Sequence, residues 1–148
     1  MPYEFKIVRR VAFSDTDLAG IMHFSNFFKF MESAEHAFYR SLGFSVTLKK
    51  FDPSLGLPRV HTDCDFRRPL RFEDEVEVHL IVQKKTRKSI RYQFRFRILS
   101  SGDTAEVAAR GSVTVVCIKR QSDGSLSATH LPQEMAALIE VAPADLSE

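Results

Sequence analysis

Between Ser25 and Leu42 the chain carries its one long helical pattern. Phe27, Phe30, Met31, Ala34, Phe38 and Leu42 recur at three- and four-residue intervals, the spacing that stacks side chains on one face of an α-helix. Ser25 suits the N-cap and Gly43 the terminator, which predicts about 17 residues or roughly 25 Å of helix. A helix face made largely of phenylalanine needs a broad apolar surface opposite it.

The rest of the chain supplies that surface as strands. Residues 4–13 alternate, with Phe5, Ile7, Val11 and Phe13 on one side and Lys6 and Arg10 on the other. Residues 59–68 read as a strand that stops before Pro69. Residues 75–85 set Val76, Val78, Leu80 and Val82 inward against Glu75, Glu77 and His79 outward. Residues 89–99 set Ile90, Tyr92, Phe94, Phe96 and Ile98 against Arg91, Gln93, Arg95 and Arg97, and residues 105–119 form the last strand. Ser101-Gly102-Asp103 is expected to make the turn before it. A short helix is expected over 132–140, with Pro132 in its first turn, followed by a frayed tail. The order β-α-β-β-β-β predicts an α+β fold, one helix against a five-stranded, mostly antiparallel sheet. Residues 1–148 read as a single domain whose core spans about 4–120.

Composition narrows the function. The 148 residues carry a formal net charge of +2 and are 44% hydrophobic, which excludes a disordered chain. No apolar run reaches the ~18–20 residues of a bilayer helix, and the first residues lack the apolar stretch of a signal peptide. Cys64 and Cys117 lack metal-ligand spacing and read as reduced thiols of a cytoplasmic protein. His36, His61, His79 and His130 are scattered, so no metal site is expected. The charge is uneven, however. From Lys84 to Arg97 there are seven basic residues and no acid, which suits a phosphorylated ligand or a nucleic acid. Tyr92, Phe94 and Phe96 alternate with the arginines and fall on the opposite face, which argues against a nucleic-acid stacking platform.

The polar segment ahead of the helix holds the residues best suited to chemistry. Asp15, Asp17 and His23 precede a helix N-terminus, whose unpaired amides can stabilise a developing oxyanion. A carboxylate beside an oxyanion donor fits acyl transfer to water. Asp17 could equally cap the turn into Gly20, and Asp15 reads as a structural acceptor.

Phe13-Ser14-Asp15-Thr16-Asp17-Leu18-Ala19-Gly20-Ile21, with Asn26-Phe27 and Met31-Glu32, resembles the signature of the hotdog-fold acyl-CoA thioesterases, nearest to the 4-hydroxybenzoyl-CoA thioesterase branch. Phe66-x-x-Pro69-Leu70-x-Phe72-x-Asp74 resembles that family's strand-turn segment. The resemblance covers about residues 4–120 and implies a long central helix wrapped by an antiparallel sheet. It implies hydrolysis of a small aromatic or short- to medium-chain acyl-CoA, with coenzyme A as part of the substrate and no other cofactor. It also implies Asp17 as nucleophile or general base and the Phe24 amide as the carbonyl's hydrogen-bond donor. His23 is a further catalytic candidate, which could orient Asp17 or a water or merely line the pocket. Arg87, Lys88 and Ser89 stand where the family contacts the phosphates of coenzyme A. Other hotdog thioesterases use a carboxylate on the helix, which makes Glu35 the reserve catalyst. Relatives form dimers joined edge to edge, or tetramers, with sites between subunits. Phe28 and Tyr39, off the helix's main stripe, are expected to be covered by such a contact. The alternatives are a hotdog protein that binds acyl-CoA without hydrolysing it, a hotdog dehydratase, and a nucleic-acid binder.

Overall fold

The structure is a computed structural model that describes residues 2–100 and 106–147. Strand β1 (Glu4–Arg10) leads into a 3-10 turn (Phe13–Asp15) and then helix α1 (Ser25–Ser41). Strands β2 (Leu55–Gly56), β3 (Arg59–Phe66), β4 (Glu75–Lys85), β5 (Ser89–Ile98), β6 (Val107–Val116), β7 (Ile118–Arg120) and β8 (Leu126–Ala128) follow. Helices α2 (Gln133–Leu138) and α3 (Ala144–Ser147) end the chain. Five strands form one sheet in the order β1-β4-β5-β6-β3, and every neighbouring pair is antiparallel. The expected turn at Ser101-Gly102-Asp103 lies outside the described residues.

Helix α1 lies across the inner face of this sheet. Phe27 meets Phe96 with ring centroids 5.2 Å apart, and Phe38 meets Phe5 at 5.9 Å and Tyr92 at 6.3 Å. Phe30, Met31, Ala34 and Phe38 are all buried, and each large apolar side chain contributes about 1.5–3 kcal/mol. Gly111 of β6 permits the close crossing. A Cβ there would sit 2.7 Å from the Asp63 carbonyl oxygen and collide with the end of Met31. At the far end of α1, Gly43 takes φ +91°, the left-handed conformation that closes a helix at little cost to glycine.

Several expectations are corrected here. Strand β1 ends at Arg10, and Phe13 is 77% exposed rather than facing the core. Tyr39 is fully buried within its own chain, where it stacks on Phe44 at 5.1 Å, so it needs no partner subunit. The 100° helical projection missed this because the segment after Gly43 folds back as a second wall. The strand expected over 105–119 is divided into β6 and β7, and β7 belongs to a separate three-stranded sheet, β2-β7-β8. The expected frayed tail is partly ordered. The Ala142 amide donates to the Val82 carbonyl (2.8 Å), Arg95 donates to the Leu146 carbonyl, and α3 lies over β4.

Candidate active site

The segment from Val11 to Phe24 is held at the end of the sheet where β4 starts and β5 ends. The Val11 amide donates to the Asp74 carbonyl (2.9 Å) and the Met22 amide to Leu70. Within the loop, Asp17 and Ile21 are joined by a backbone hydrogen bond of 2.9 Å, and Gly20 closes the turn at φ +79°. Asp15 is the structural anchor. Its carboxylate accepts from the Ala12 amide (2.8 Å), and its carbonyl accepts from the His23 amide and the buried Asn26 side chain. The loop is thereby tied to the first turn of α1.

This scaffold leaves Asp17 exposed. One carboxylate oxygen accepts from the Ala19 amide at 2.9 Å, and the other makes no hydrogen bond among the described residues. Asp17 borders two hollows. The larger, about 510 Å³, is lined by Asp17, Ile21, Met22, Phe24, Phe27, Phe66, Arg67, Arg68 and Pro69. The second, about 450 Å³, lies against Phe13, Thr16, Leu18, Gly20 and Phe72. Both volumes lie within the range of small-molecule sites. The Phe24 amide, at the N-cap of α1, has no acceptor among the described residues. It therefore sits at the positive end of the helix, on a residue that lines the larger hollow with Asp17.

His23 lies outside this arrangement. Its Nδ1 accepts from the Ser25 amide (3.2 Å) and lies 2.7 Å from the Ser25 hydroxyl, while its ring stacks on Phe24. The imidazole thus caps α1 and lines neither hollow beside Asp17. The cap falls one residue earlier than expected, because the helix begins at Ser25.

Glu35 is also remote. It is buried on α1, where its carboxylate accepts from the Tyr39 hydroxyl (2.9 Å) and pairs with Arg59. Burial pushes its pKa up to about 7 against the opposing pull of Arg59 and Tyr39. It borders a separate cavity of about 180 Å³ with Glu32, Arg59 and Thr62. No cluster of His, Cys, Asp and Glu able to hold a metal occurs among the described residues.

The basic segment divides by role. Lys85 donates to the carbonyls of Ala136 and Ile139 at 2.7 Å each. Arg91 bonds Gln83, and Arg97 lies 3.7 Å from Glu77. Arg87 and Lys88 stay exposed in the β4–β5 turn, with no ion pair among the described residues. The Ser89 hydroxyl lies 2.6 Å from that of Thr86. This turn is at the opposite end of the sheet from Asp17, the full 11 residues of β4 away, or roughly 35 Å. One chain therefore does not bring Arg87, Lys88 and Ser89 to Asp17. The cations that do line the larger hollow, Arg67 and Arg68, went unnoticed in the sequence because the β3 pattern ends there without further periodicity.

Comparison with known proteins agrees with this architecture. Residues 11–139 match the family described as the thioesterase-like superfamily. The 1,4-dihydroxy-2-naphthoyl-CoA hydrolase of Nostoc punctiforme is 34% identical over 140 residues, covering 92% of this chain and 86% of that one. The structure of a gentisyl-coenzyme A thioesterase superposes with a TM-score of 0.74 at 30% identity, covering 88% of this chain and 98% of the other. A structure from Aquifex aeolicus gives a TM-score of 0.80 at 26% identity, covering 92% and 99%. The chain belongs to the thioesterase-like superfamily, with its hotdog fold, and is a thioester hydrolase.

Proposed function

We propose that this chain hydrolyses a small aromatic or short- to medium-chain acyl-CoA at the head of α1, with Asp17 as the catalytic carboxylate. The observation that carries the reading is the pairing of two unengaged groups beside one hollow, the free Asp17 oxygen and the Phe24 amide. The amide at the helix N-terminus would donate to the carbonyl oxygen of the thioester and stabilise the oxyanion that forms on attack. Asp17 would either add to the carbonyl carbon, giving a mixed anhydride that water then cleaves, or take a proton from the attacking water. In both routes the carbon–sulfur bond breaks and the thiolate of coenzyme A departs. The apolar walls Ile21, Met22, Phe24, Phe27 and Phe66 suit an aromatic ring. Relatives named for dihydroxynaphthoyl-CoA and gentisyl-CoA point to the same class.

Arg87, Lys88 and Ser89 would hold the coenzyme's phosphates for the neighbouring subunit's site. Strand β3 is an edge of the sheet. Antiparallel pairing of two such edges would bring the β4–β5 turn of one copy to the Asp17 end of the other.

Thiol release from a panel of aromatic and aliphatic acyl-CoAs tests the reading. Asp17→Asn should lower kcat by about 100-fold or more while KM changes little, as for an interaction made in the transition state. Turnover near that of the unaltered protein would remove Asp17 from the mechanism.

A further inference from the structure

The larger hollow beside Asp17 is bordered by an exposed cation that the hydrolytic step does not use. At the end of β3 the amides of Arg67 and Arg68 both donate to the Ala108 carbonyl, each at 2.9 Å. Two consecutive amides on one acceptor form a bulge, which breaks the alternation of the strand. The two side chains then fare differently. Arg68 is paired with Glu106. Arg67 has no ion pair and no side-chain hydrogen bond among the described residues, including none to Asp17. Its guanidinium is always charged and offers five donors in a planar fork. It borders a hollow whose other walls are, apart from Asp17 and the paired Arg68, apolar.

We propose that Arg67 determines specificity by binding an oxygen on the acyl group, so that the substrates of this site carry a carboxylate or phenolic oxygen beyond the thioester carbonyl. The inference rests on the reading of Asp17 as the catalytic carboxylate of this hollow. An apolar hollow alone would accept any hydrocarbon of suitable size. An exposed guanidinium at its rim adds a charge-assisted hydrogen bond for an acyl group that carries an anionic or phenolic oxygen and gives nothing to a plain hydrocarbon. The phosphates of coenzyme A are the other source of anionic oxygen. They lie at the far end of the pantetheine arm, whereas Arg67 shares one hollow with the carboxylate that would attack the carbonyl.

The test compares benzoyl, 4-hydroxybenzoyl and 4-carboxybenzoyl thioesters, each on coenzyme A and on N-acetylcysteamine, which has no phosphate. The expected result for Arg67→Ala is a loss in kcat/KM of about tenfold or more for the carboxy ester. The hydroxy ester should lose less and the benzoyl ester least, with the same order on both thiols. Arg67→Lys should keep part of the preference, which a merely structural role would not produce. Equal losses for all three acyl groups on coenzyme A, absent on N-acetylcysteamine, would assign Arg67 to the phosphates and overturn the proposal. An unchanged preference in Arg67→Ala would overturn it as well. Asp17→Asn, assayed alongside, separates the two readings. If that variant stays active while Arg67→Ala loses the preference, the catalytic assignment fails and the specificity assignment stands.

Discussion

Glu35 lies at the centre of a buried polar chain in which the Tyr39 hydroxyl bridges its carboxylate and the hydroxyl of Tyr92, 2.8 Å away. Arg59 pairs with the carboxylate from the start of β3, and its partly exposed side chain reaches solvent. Charging Glu35 in this place costs desolvation that Arg59 and Tyr39 only partly offset, so the folded-state pKa rises to about 7 from 4.5. Between those values the folded protein keeps a proton that the unfolded chain has released. The contribution of Glu35 to stability is therefore full below about pH 4.5 and is lost as the pH rises through about 7. We expect Glu35→Gln to flatten this part of the curve. The measurement is the Tm of both proteins from pH 4.5 to 8, where a parallel fall in the two would show that other groups cause it. The sequence named Glu35 only as a reserve catalyst, because helical projection gives its angle but not the tyrosines around it. Asp17 was identifiable through the loop signature, whereas the local hydrogen bonds of His23 are invisible until the chain turns into α1.

The crossing of α1 over β6 depends on one missing side chain. With the Cβ of an alanine 2.7 Å from the Asp63 carbonyl, β3 or β6 would have to shift, since backbone cannot move aside as the end of Met31 can. Gly111→Ala should therefore destabilise the fold by about 1–3 kcal/mol, the usual cost of overpacking. Urea denaturation checks this, and an unchanged midpoint would mean that the strands yield freely. Sequence patterns located the long elements well for a related reason. Strands β4 and β5 have one face under α1, so Val76, Val78 and Leu80, like Tyr92, Phe94 and Phe96, had to alternate with polar residues. Strands β2, β7 and β8, of two or three residues, are too short to show a period. The C-terminal segment looked like a tail for its Pro143 and Ser147, yet a backbone bond from Ala142 and the Arg95 guanidinium's bond to the Leu146 carbonyl tether it. That tether covers the outer face of β4, where His79 is buried although its position in the alternation points it away from α1.

The separation of Asp17 from Arg87 and Lys88 by the length of the sheet makes the assembly testable through catalysis. If each site took both sets of residues from one chain, a substrate would have to bridge roughly 35 Å along the strands. If two β3 edges pair antiparallel, each site draws Asp17 from one copy and the basic turn from the other. The two arrangements differ when two crippled proteins are mixed. One carries Asp17→Asn and the other Arg87→Ala with Lys88→Ala, and neither alone should turn over a coenzyme A ester well at low concentration. In a mixed dimer of shared sites, one site receives both defects and the other receives neither. Equal amounts, unfolded and refolded together, would give half mixed dimers and so restore about a quarter of the sites. With sites built from single chains, every site in the mixture keeps one defect and no activity returns. Recovery should also depend on the edge itself. Adding Thr62→Pro, in the middle of β3, to both proteins should abolish it, because a proline removes a donor from a pairing strand. Recovery that survives this change would place the contact on another surface of the molecule.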